Sequence, residues 1–258
     1  TPQPALPDAI PQDSVEAATP DLESRAQKLA GDAARLLTQG NLPAAEKALR
    51  DQLKLQPGNF VVYYNLACAR AMQNDPAGAG EWLVKSVEHG FSDIYQLRRD
   101  PTLRPVREDA NYRAIVEHWP AILEARRDAN LKGVKTIFKT GYAETRDEAL
   151  RVIYLSAFDA GSTQSAVAEL SLVARWCEAQ FLPGLTDPAA AKDDAWAIVV
   201  LPSRADYEKW ATLKYGVNAV KDTSMIAGAY DHDLKRLVSM DLGATLRHEF
   251  LHLLHWRM

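Results

Sequence analysis

The stretch from Thr245 to His252 reads TLRHEFLH and contains the pattern H-E-x-x-H. On a helix, His248 and His252 lie one turn apart on the same face, so both imidazoles can bind one zinc ion at about 2.0–2.1 Å. Glu249 follows the first histidine and is placed to act as general base on a zinc-bound water. The pattern therefore predicts a zinc-dependent hydrolase site. The alternative interpretation is an ordinary helix that turns two histidines toward solvent.

The residues around this pattern predict the helix that it needs. No proline or glycine interrupts the chain from Ala244 to Met258, and Asp241 and Thr245 are candidate N-terminal capping residues. Apolar residues recur at three- and four-residue spacing beside the two histidines: Leu246, Phe250, Leu253 and Leu254. The short segment Arg236–Met240 has the composition of a strand. Strand, short turn and metal-binding helix form a zincin-like order.

A catalytic zinc ion normally has three protein ligands and one water, and the pattern supplies two ligands. His255 lies three residues after His252, but at about 1.5 Å per residue it is about 10 Å along the helix axis from His248. That distance is too long for an ion held between His248 and His252, so we expect His255 to be packed or exposed. We expect the third ligand beyond Met258, in a part of the protein that this sequence does not include.

Three pieces of the segment Trp196–Trp256 together resemble one protein family. AIVVLPSRADY at Ala197–Tyr207 is similar to that family's strand and following helix, AGAYD at Ala227–Asp231 resembles its GxYD turn, and ATLRHEFLH at Ala244–His252 resembles its metal-binding helix. The family is the gluzincins, or peptidase MA-like proteins, which follow tetratricopeptide repeats in many bacterial proteins.

The resemblance implies a zinc metallopeptidase domain with a zincin-like fold. It implies His248 and His252 as zinc ligands and Glu249 as the catalytic acid/base. Members of this group usually supply the third ligand as a glutamate on a following helix, within a segment of the type W-hydrophobic-x-E-G. No segment of this sequence matches that type, so we expect the chain to be incomplete after its H-E-x-x-H helix and to lack this glutamate.

The N-terminal half has the pattern of helical repeats. Residues 1–20 contain five prolines and predict a disordered leader. Four predicted helices then alternate with tight breaks: Leu22–Gln39, Leu42–Gln56, Phe60–Asn74 and Pro76–His89. A shift of 34 residues aligns small and apolar residues of one helix pair with those of the next: Ala33 with Ala67, Ala45 with Ala79, and Leu49 with Leu83.

Tetratricopeptide repeats have this period, with small residues where two helices cross. We therefore predict such repeats over residues 21–129, with Asp93–Asp109 and Asn111–Trp119 as a degenerate pair that caps the stack. Such an array offers a concave groove for an extended peptide or a partner protein. Tyr63 and Tyr64 either line this groove or pack between helices, and aromatic residues at helical spacing are usually core.

Residues 130–258 predict the zincin-like domain. The charged helix Ala121–Asn130 joins the two halves and is predicted to end at Lys132-Gly133. The later elements follow from β-rich runs and helical periodicity: strands over Thr136–Thr140, Val152–Ser156 and Ala195–Leu201, and helices over Ser162–Phe181 and Arg204–Tyr215. A mixed sheet with helices on one side is an α+β arrangement. The predicted fold is therefore multidomain, with all-α repeats followed by an α+β domain.

Composition argues against several classes of partner. The net charge of −4 gives no reason to expect nucleic acid, and no apolar run approaches the about 18 residues of a membrane helix. Cys68 and Cys177 are expected as small buried hydrophobic residues rather than as a disulfide. The sequence begins at Thr1 without an initiator methionine, which is consistent with a removed signal peptide. A periplasmic or secreted location is therefore favoured over a cytoplasmic one.

The leading hypothesis is a peptidase whose edge strand, at Arg236–Met240 or Ala227–Tyr230, pairs with the substrate backbone. Tyr230 either steadies the oxyanion or packs locally in a turn. The polar run from Asp231 to Asp233 is either a second metal site or a solvated turn. Two other functions stay open: a non-catalytic adaptor with an inactive zincin-like half, and a zinc hydrolase acting on something other than peptides.

Overall fold

The structure is a computed structural model that describes residues 20–138, 141–181, 183, 194–216 and 227–257. The chain divides into two compact units, Thr1–Trp119 and Pro120–Met258. The sequence-based boundary, at residue 129, lies further along the helix that contains Trp119 and Pro120. The leader predicted over residues 1–20 falls outside the described residues, except for Pro20, where the first helix begins.

The first unit is built from helices joined by short turns. Its helices are α1 (Pro20–Thr38), α2 (Leu42–Leu55), α3 (Phe60–Met72), α4 (Pro76–Glu88) and α5 (Ile94–Arg99), followed by a 3₁₀ turn at Pro101–Val106 and the start of α6 (Ala110–Ile137). Each of the first three helices packs on the next one along the chain. The four predicted helices agree with α1–α4 to within two residues at either end.

Small side chains lie where these helices approach each other. The alanines aligned by the 34-residue shift are all buried: Ala33, Ala45, Ala67 and Ala79. Gly40 and Asn74, which the same shift aligns, both adopt positive φ, at 73° and 60°, in the turns after α1 and α3. Glycine and asparagine tolerate this conformation better than other residues. The helical character of this half is confirmed, and its assignment to tetratricopeptide repeats stays a prediction.

Tyr63 and Tyr64 pack between helices. The ring of Tyr63 stacks on His89 at a centroid distance of 4.5 Å, and its hydroxyl donates to the carbonyl of Pro57 at 2.9 Å. The hydroxyl of Tyr64 donates to the carboxylate of Asp100 at 2.9 Å. Both tyrosines are buried, which confirms the packing interpretation over the groove interpretation.

The second unit contains a five-stranded mixed sheet. Its strands are β1 (Ala143–Asp147), β2 (Val152–Ser156), β3 (Trp196–Val200), β4 (Gly228–Asp231) and β5 (Arg236–Ser239), in the order β1-β2-β3-β5-β4. The central pairs β2–β3 and β3–β5 are parallel, whereas β1 and β4 pair antiparallel with their neighbours. Among its described residues, the second unit also contains the helices α7 (Ala160–Gln180), α8 (Arg204–Tyr215) and α9 (Ala244–Trp256).

Helices cover both faces of this sheet. Alternate residues of β3 divide between two cores, with Ile198 packed among residues of α7 and α9, and Val199 packed among residues of α6 and α8. Because β3 is buried on both sides, its sequence WAIVV is continuously apolar rather than alternating. The expectation of helices on one side of the sheet is therefore wrong. The coarser prediction, a helical half followed by a half with a mixed sheet, is confirmed.

Helix α6 continues through the predicted break. Gly133 lies inside this helix, which ends at Ile137. A helical glycine costs about 1 kcal/mol relative to alanine. The flanking residues Leu131 and Val134 are buried in the core that α6 shares with β3 and α8, and this burial outweighs the cost. The strand predicted over Thr136–Thr140 is wrong at Thr136 and Ile137, which lie in α6. Residues 139 and 140 lie outside the described residues.

Two further expectations concern cysteine chemistry and membranes. Cys68 and Cys177 are both free thiols; Cys177 is buried, as expected, whereas Cys68 is half-buried. Among the helices of the described residues, none is long and apolar enough to cross a membrane.

Candidate functional site

Helix α9 has one buried face and one open face. Its buried apolar residues pack against the sheet and α7: Leu246, Phe250, Leu253 and Leu254. This stripe was predicted from the sequence, and it places His248 and His252 on the exposed side of the helix. The helix begins after Gly243 without a side-chain cap. The capping role expected of Asp241 is therefore wrong: its carboxylate accepts from the N–H of Gly243 at 2.6 Å, one residue before the helix.

The two histidines of the pattern lie side by side. The ring centroids of His248 and His252 are 5.0 Å apart, and the ring planes are nearly perpendicular, at 86°. Both side chains are exposed, so solvent or an ion can reach the space beside them. Two adjacent imidazoles of this kind match the nitrogen donors that zinc prefers. The donor set therefore fits two of the ligands of a zinc ion.

Glu249 is buried although it lies between two exposed histidines. Glu249 is only 8% exposed. This burial raises the pKa of its carboxyl above the ordinary value, and the two neighbouring histidines oppose that rise. Among the described residues, no ion pair or side-chain hydrogen bond involves this carboxylate. A carboxylate that is shielded and unpaired is suited to exchange a proton with a substrate or water.

Strand β4 provides the shield over Glu249. A Cβ atom placed on Gly228 would lie 2.7 Å from Cγ of Glu249, 2.8 Å from its Oε1 and 2.7 Å from Cγ2 of Thr245. Only glycine lets the strand backbone come this close to α9. The GxYD motif was identified in the sequence, but no periodic or compositional signal showed that its glycine touches the residue that follows His248.

The GxYD segment is a strand and not a turn. Gly228–Asp231 forms β4, which pairs antiparallel with β5. Ala229, in the middle of β4, packs into the core shared by α6 and α8, and Tyr230 packs into the core shared by α7 and α9. This two-sided burial favours the extended backbone. Of the two segments expected as an edge strand, Ala227–Tyr230 agrees with the position of β4 among the described strands, whereas Arg236–Met240 contains β5, which lies between β3 and β4.

Tyr207 of α8 fixes this strand from its outer side. Its buried hydroxyl donates to the carbonyl oxygen of Gly228 at 2.7 Å. Burial raises the pKa of Tyr207 to about 12, so the hydroxyl stays protonated and keeps donating at neutral pH. Sequence reasoning placed Tyr207 in a helix but assigned it no role, because its partner lies 21 residues further along the chain.

Tyr230 lies beside the second histidine. Its ring stacks on Trp196 at a centroid distance of 5.3 Å, and the centroid of His252 is 5.5 Å away. Its hydroxyl is 3.0 Å from Nδ1 of His232, and burial raises the pKa of the phenol. Tyr230 thus packs into the core and also borders the site, so both roles considered for it are compatible with its position.

Residues of the run Asp231–Asp233 contact other side chains. Asp231 forms an ion pair with Lys214 at 3.0 Å. His232 contacts the ring of Trp256, with centroids 3.8 Å apart. Across the described ranges, no group of three or more His, Cys, Asp or Glu side chains is arranged to hold a metal ion. The same observation applies to α9: no described side chain is arranged as a third ligand beside His248 and His252. His255 is exposed.

A buried charged cluster fixes the C-terminal end of α9. Arg257 donates to the carboxylate of Asp194 and to the carbonyl of Leu150, both at 2.7 Å. The indole N–H of Trp196 donates to the same carboxylate at 2.6 Å, and the ammonium of Lys235 is 3.9 Å from it. This cluster ties the residue after α9 to the segments before β2 and β3.

Comparison with known proteins returned no relative. No family model, no curated protein and no solved structure matches the chain.

Proposed function

We propose that this protein is a zinc-dependent metallopeptidase of the gluzincin type. In this proposal His248 and His252 bind zinc and Glu249 is the general acid/base. The observation that carries it is the combination on α9 of two exposed, adjacent imidazoles and one shielded, unpaired carboxylate between them. An ordinary solvent-facing helix gives no reason for burying a carboxylate beside two exposed histidines.

The chemistry divides between the ion and the chain. Zinc, when bound by the two histidines and a third ligand, activates water and polarises a carbonyl group. Glu249 accepts the proton of the attacking water at its carboxylate and passes it to the leaving amine. Its shielding by Gly228 supports this role, because a raised pKa brings a carboxylate closer to the pKa expected of a base that works near neutral pH.

Peptides are the proposed substrates because an open strand lies next to the site. Strand β4 is the outermost strand of the sheet as far as the chain is described, and it runs from Glu249 past His252. An extended peptide can add to such an edge through main-chain hydrogen bonds. The helical first unit is proposed to bind a peptide or protein partner, as tetratricopeptide repeats do.

A second candidate function is a non-catalytic adaptor whose zincin-like half is inactive. The observation that favours it is the absence, among the described residues, of a third metal-ligating side chain beside His248 and His252. In that case the helical unit would carry the function, and Glu249 would be dispensable.

Zinc content and hydrolysis of β-casein by the full chain, purified without chelator, separate the two functions. We expect wild type to bind one zinc ion per chain, and His248→Ala or His252→Ala to lose it. Glu249→Gln should retain zinc and lose hydrolysis by a factor of about 10²–10⁴, the usual contribution of general acid–base catalysis. His255→Ala, an exposed histidine on the same helix, is the matched control and should change neither quantity. Unchanged hydrolysis in Glu249→Gln would contradict the proposal.

A further inference from the structure

Hydrogen-bond directions alternate along β4. The N–H of Met240 donates to the carbonyl of Ala227 at 3.0 Å, so the backbone polar groups of Ala227 point toward β5. The backbone N–H and C=O groups of successive residues point to alternate sides of a strand. The backbone groups of Ala229 and Asp231 therefore also point toward β5, where these residues pair with Val238 and Arg236. The backbone N–H and C=O groups of Gly228 and Tyr230 then point away from β5. Within the part of the chain that the structure describes, these two residues define the open edge of β4.

The two positions of the open edge are not equivalent. The carbonyl of Gly228 already accepts a hydrogen bond from the hydroxyl of Tyr207, and Tyr207 is only 2% exposed. The backbone N–H and C=O of Tyr230, by contrast, have no hydrogen-bond partner within the part of the chain that the structure describes. To pair fully with an added strand, an edge residue must offer both its backbone N–H and its backbone C=O. Tyr230 offers both, and Gly228 offers its N–H alone.

We propose that Tyr207 is a specificity-determining and positioning residue: it closes the Gly228 position of the edge, so that an extended peptide pairs with β4 at Tyr230 alone. This inference rests on the proposed peptidase function and names how that function holds its substrate. The paired peptide residue lies beside His252, because the ring of Tyr230 contacts that histidine. Recognition by backbone at one position leaves further selectivity to side-chain contacts.

The position of Tyr207 also holds the strand against the helix. Gly228 lies between the hydroxyl of Tyr207 on its outer side and the side chain of Glu249 on α9. Removing the hydroxyl leaves a carbonyl that is covered by the ring but has lost its donor. The edge then loses its fixed position, and a peptide must order it on binding.

Amide hydrogen exchange on the Glu249→Gln protein, with β-casein as the unfolded polypeptide probe, tests the pairing. We expect saturating β-casein to slow exchange of the Tyr230 amide at least about tenfold and to leave the Gly228 amide within a factor of two. The Ala229 amide, which already points toward β5, serves as internal control and should not change. Equal protection of Gly228 and Tyr230, or protection of neither, would overturn the proposal.

Steady-state kinetics of Tyr207→Phe test the positioning role. We expect KM for β-casein to rise by a factor of about three to ten, the range for one lost hydrogen bond, with kcat changed less than twofold. Tyr142→Phe is the matched control, because Tyr142 is another phenol of the second unit whose hydroxyl is buried, here without a hydrogen-bond partner. A KM shift of equal size in both variants would mean that loss of any buried hydroxyl suffices, and no shift in Tyr207→Phe would remove its role.

The two proposals fail in different ways. If wild type binds zinc and cleaves β-casein but Tyr230 is not protected, the pairing proposal alone is wrong. If Tyr230 is protected while zinc and hydrolysis are absent, the peptidase proposal is wrong and β4 binds peptides without cleaving them.

Discussion

One buried carboxylate lies in the middle of α9 and another lies at its C-terminal end, and their surroundings differ. Asp194, 4% exposed, accepts from the indole of Trp196 and forms an ion pair with Arg257. Lys235 lies 3.9 Å away as a second cation. Glu249, at 8% exposed, is almost as well buried, but no ion pair connects it with any residue in the described segments.

The difference separates two uses of a buried charge. A carboxylate surrounded by donors and cations anchors the elements that provide them, and here it fixes the end of α9. A carboxylate buried without such partners costs folding free energy. Perturbed groups of this kind concentrate where chemistry is performed. Exposure alone would place Asp194 and Glu249 in one class, and only their partners distinguish the anchor from the candidate base.

Removing each charge in turn should give opposite results for stability. Asp194→Asn leaves Arg257 and Lys235 as buried cations without their carboxylate, and we expect the free energy of unfolding to fall by about 3–5 kcal/mol. Glu249→Gln is the same chemical change at a carboxylate without a cation, and the free energy of unfolding should stay equal or rise. Urea denaturation followed by circular dichroism measures both. Similar losses in the two variants would remove the distinction between the two sites.

The contact between β4 and Glu249 gives the next largest effect. Gly228→Ala forces a methyl group against Cγ of Glu249 and Cγ2 of Thr245, and we expect a loss of about 1–3 kcal/mol in unfolding free energy. Hydrolysis should fall further than zinc binding, because the displaced group is the proposed base and not a proposed zinc ligand. Gly133→Ala, in the interior of α6 with nothing within 4 Å of the new methyl, is the matched control and should stabilise by about 0.5–1 kcal/mol. If Gly228→Ala is equally well tolerated, β4 does not press on Glu249.

The sequence predicted what depends on local pattern. Helix α8 begins and ends at the predicted residues, Arg204 and Tyr215, and the apolar stripe of α9 is buried as its spacing indicates. The prediction failed at Gly133, because burial of its neighbours against other elements overrides a local breaker. Such burial is a tertiary effect that no window of neighbouring residues contains.

The candidate site was predicted only in part for the same reason. His248, Glu249 and His252 follow from a five-residue pattern. The contacts of Gly228 with Glu249 and of Tyr207 with Gly228 join residues about twenty positions apart, on different elements. Two partners of Asp194 likewise lie far along the chain, Lys235 in the turn before β5 and Arg257 after α9. Spacing along the chain carries no signal for contacts of this kind, so the shield and the anchor became visible only in the fold.

The smallest expected effect is the pH dependence of the stability difference between wild type and Glu249→Gln. Burial raises the pKa of Glu249 above its ordinary value of 4.5, so the folded protein holds this proton more tightly than the unfolded chain. The stability that wild type gains from the proton on Glu249 is then fully present below pH 4.5, and it is lost as the pH rises through the higher pKa of the folded protein. Glutamine does not titrate.

Zinc-free wild type should therefore lose stability relative to zinc-free Glu249→Gln between about pH 4 and pH 7. Urea denaturation of both proteins at the two pH values measures the change. A difference that is constant with pH, or one that shrinks as pH rises, would mean that Glu249 finds a stabilising partner in solution. Glu249 would then belong with Asp194 among the anchors, and the case for a general base on α9 would lose its physical support.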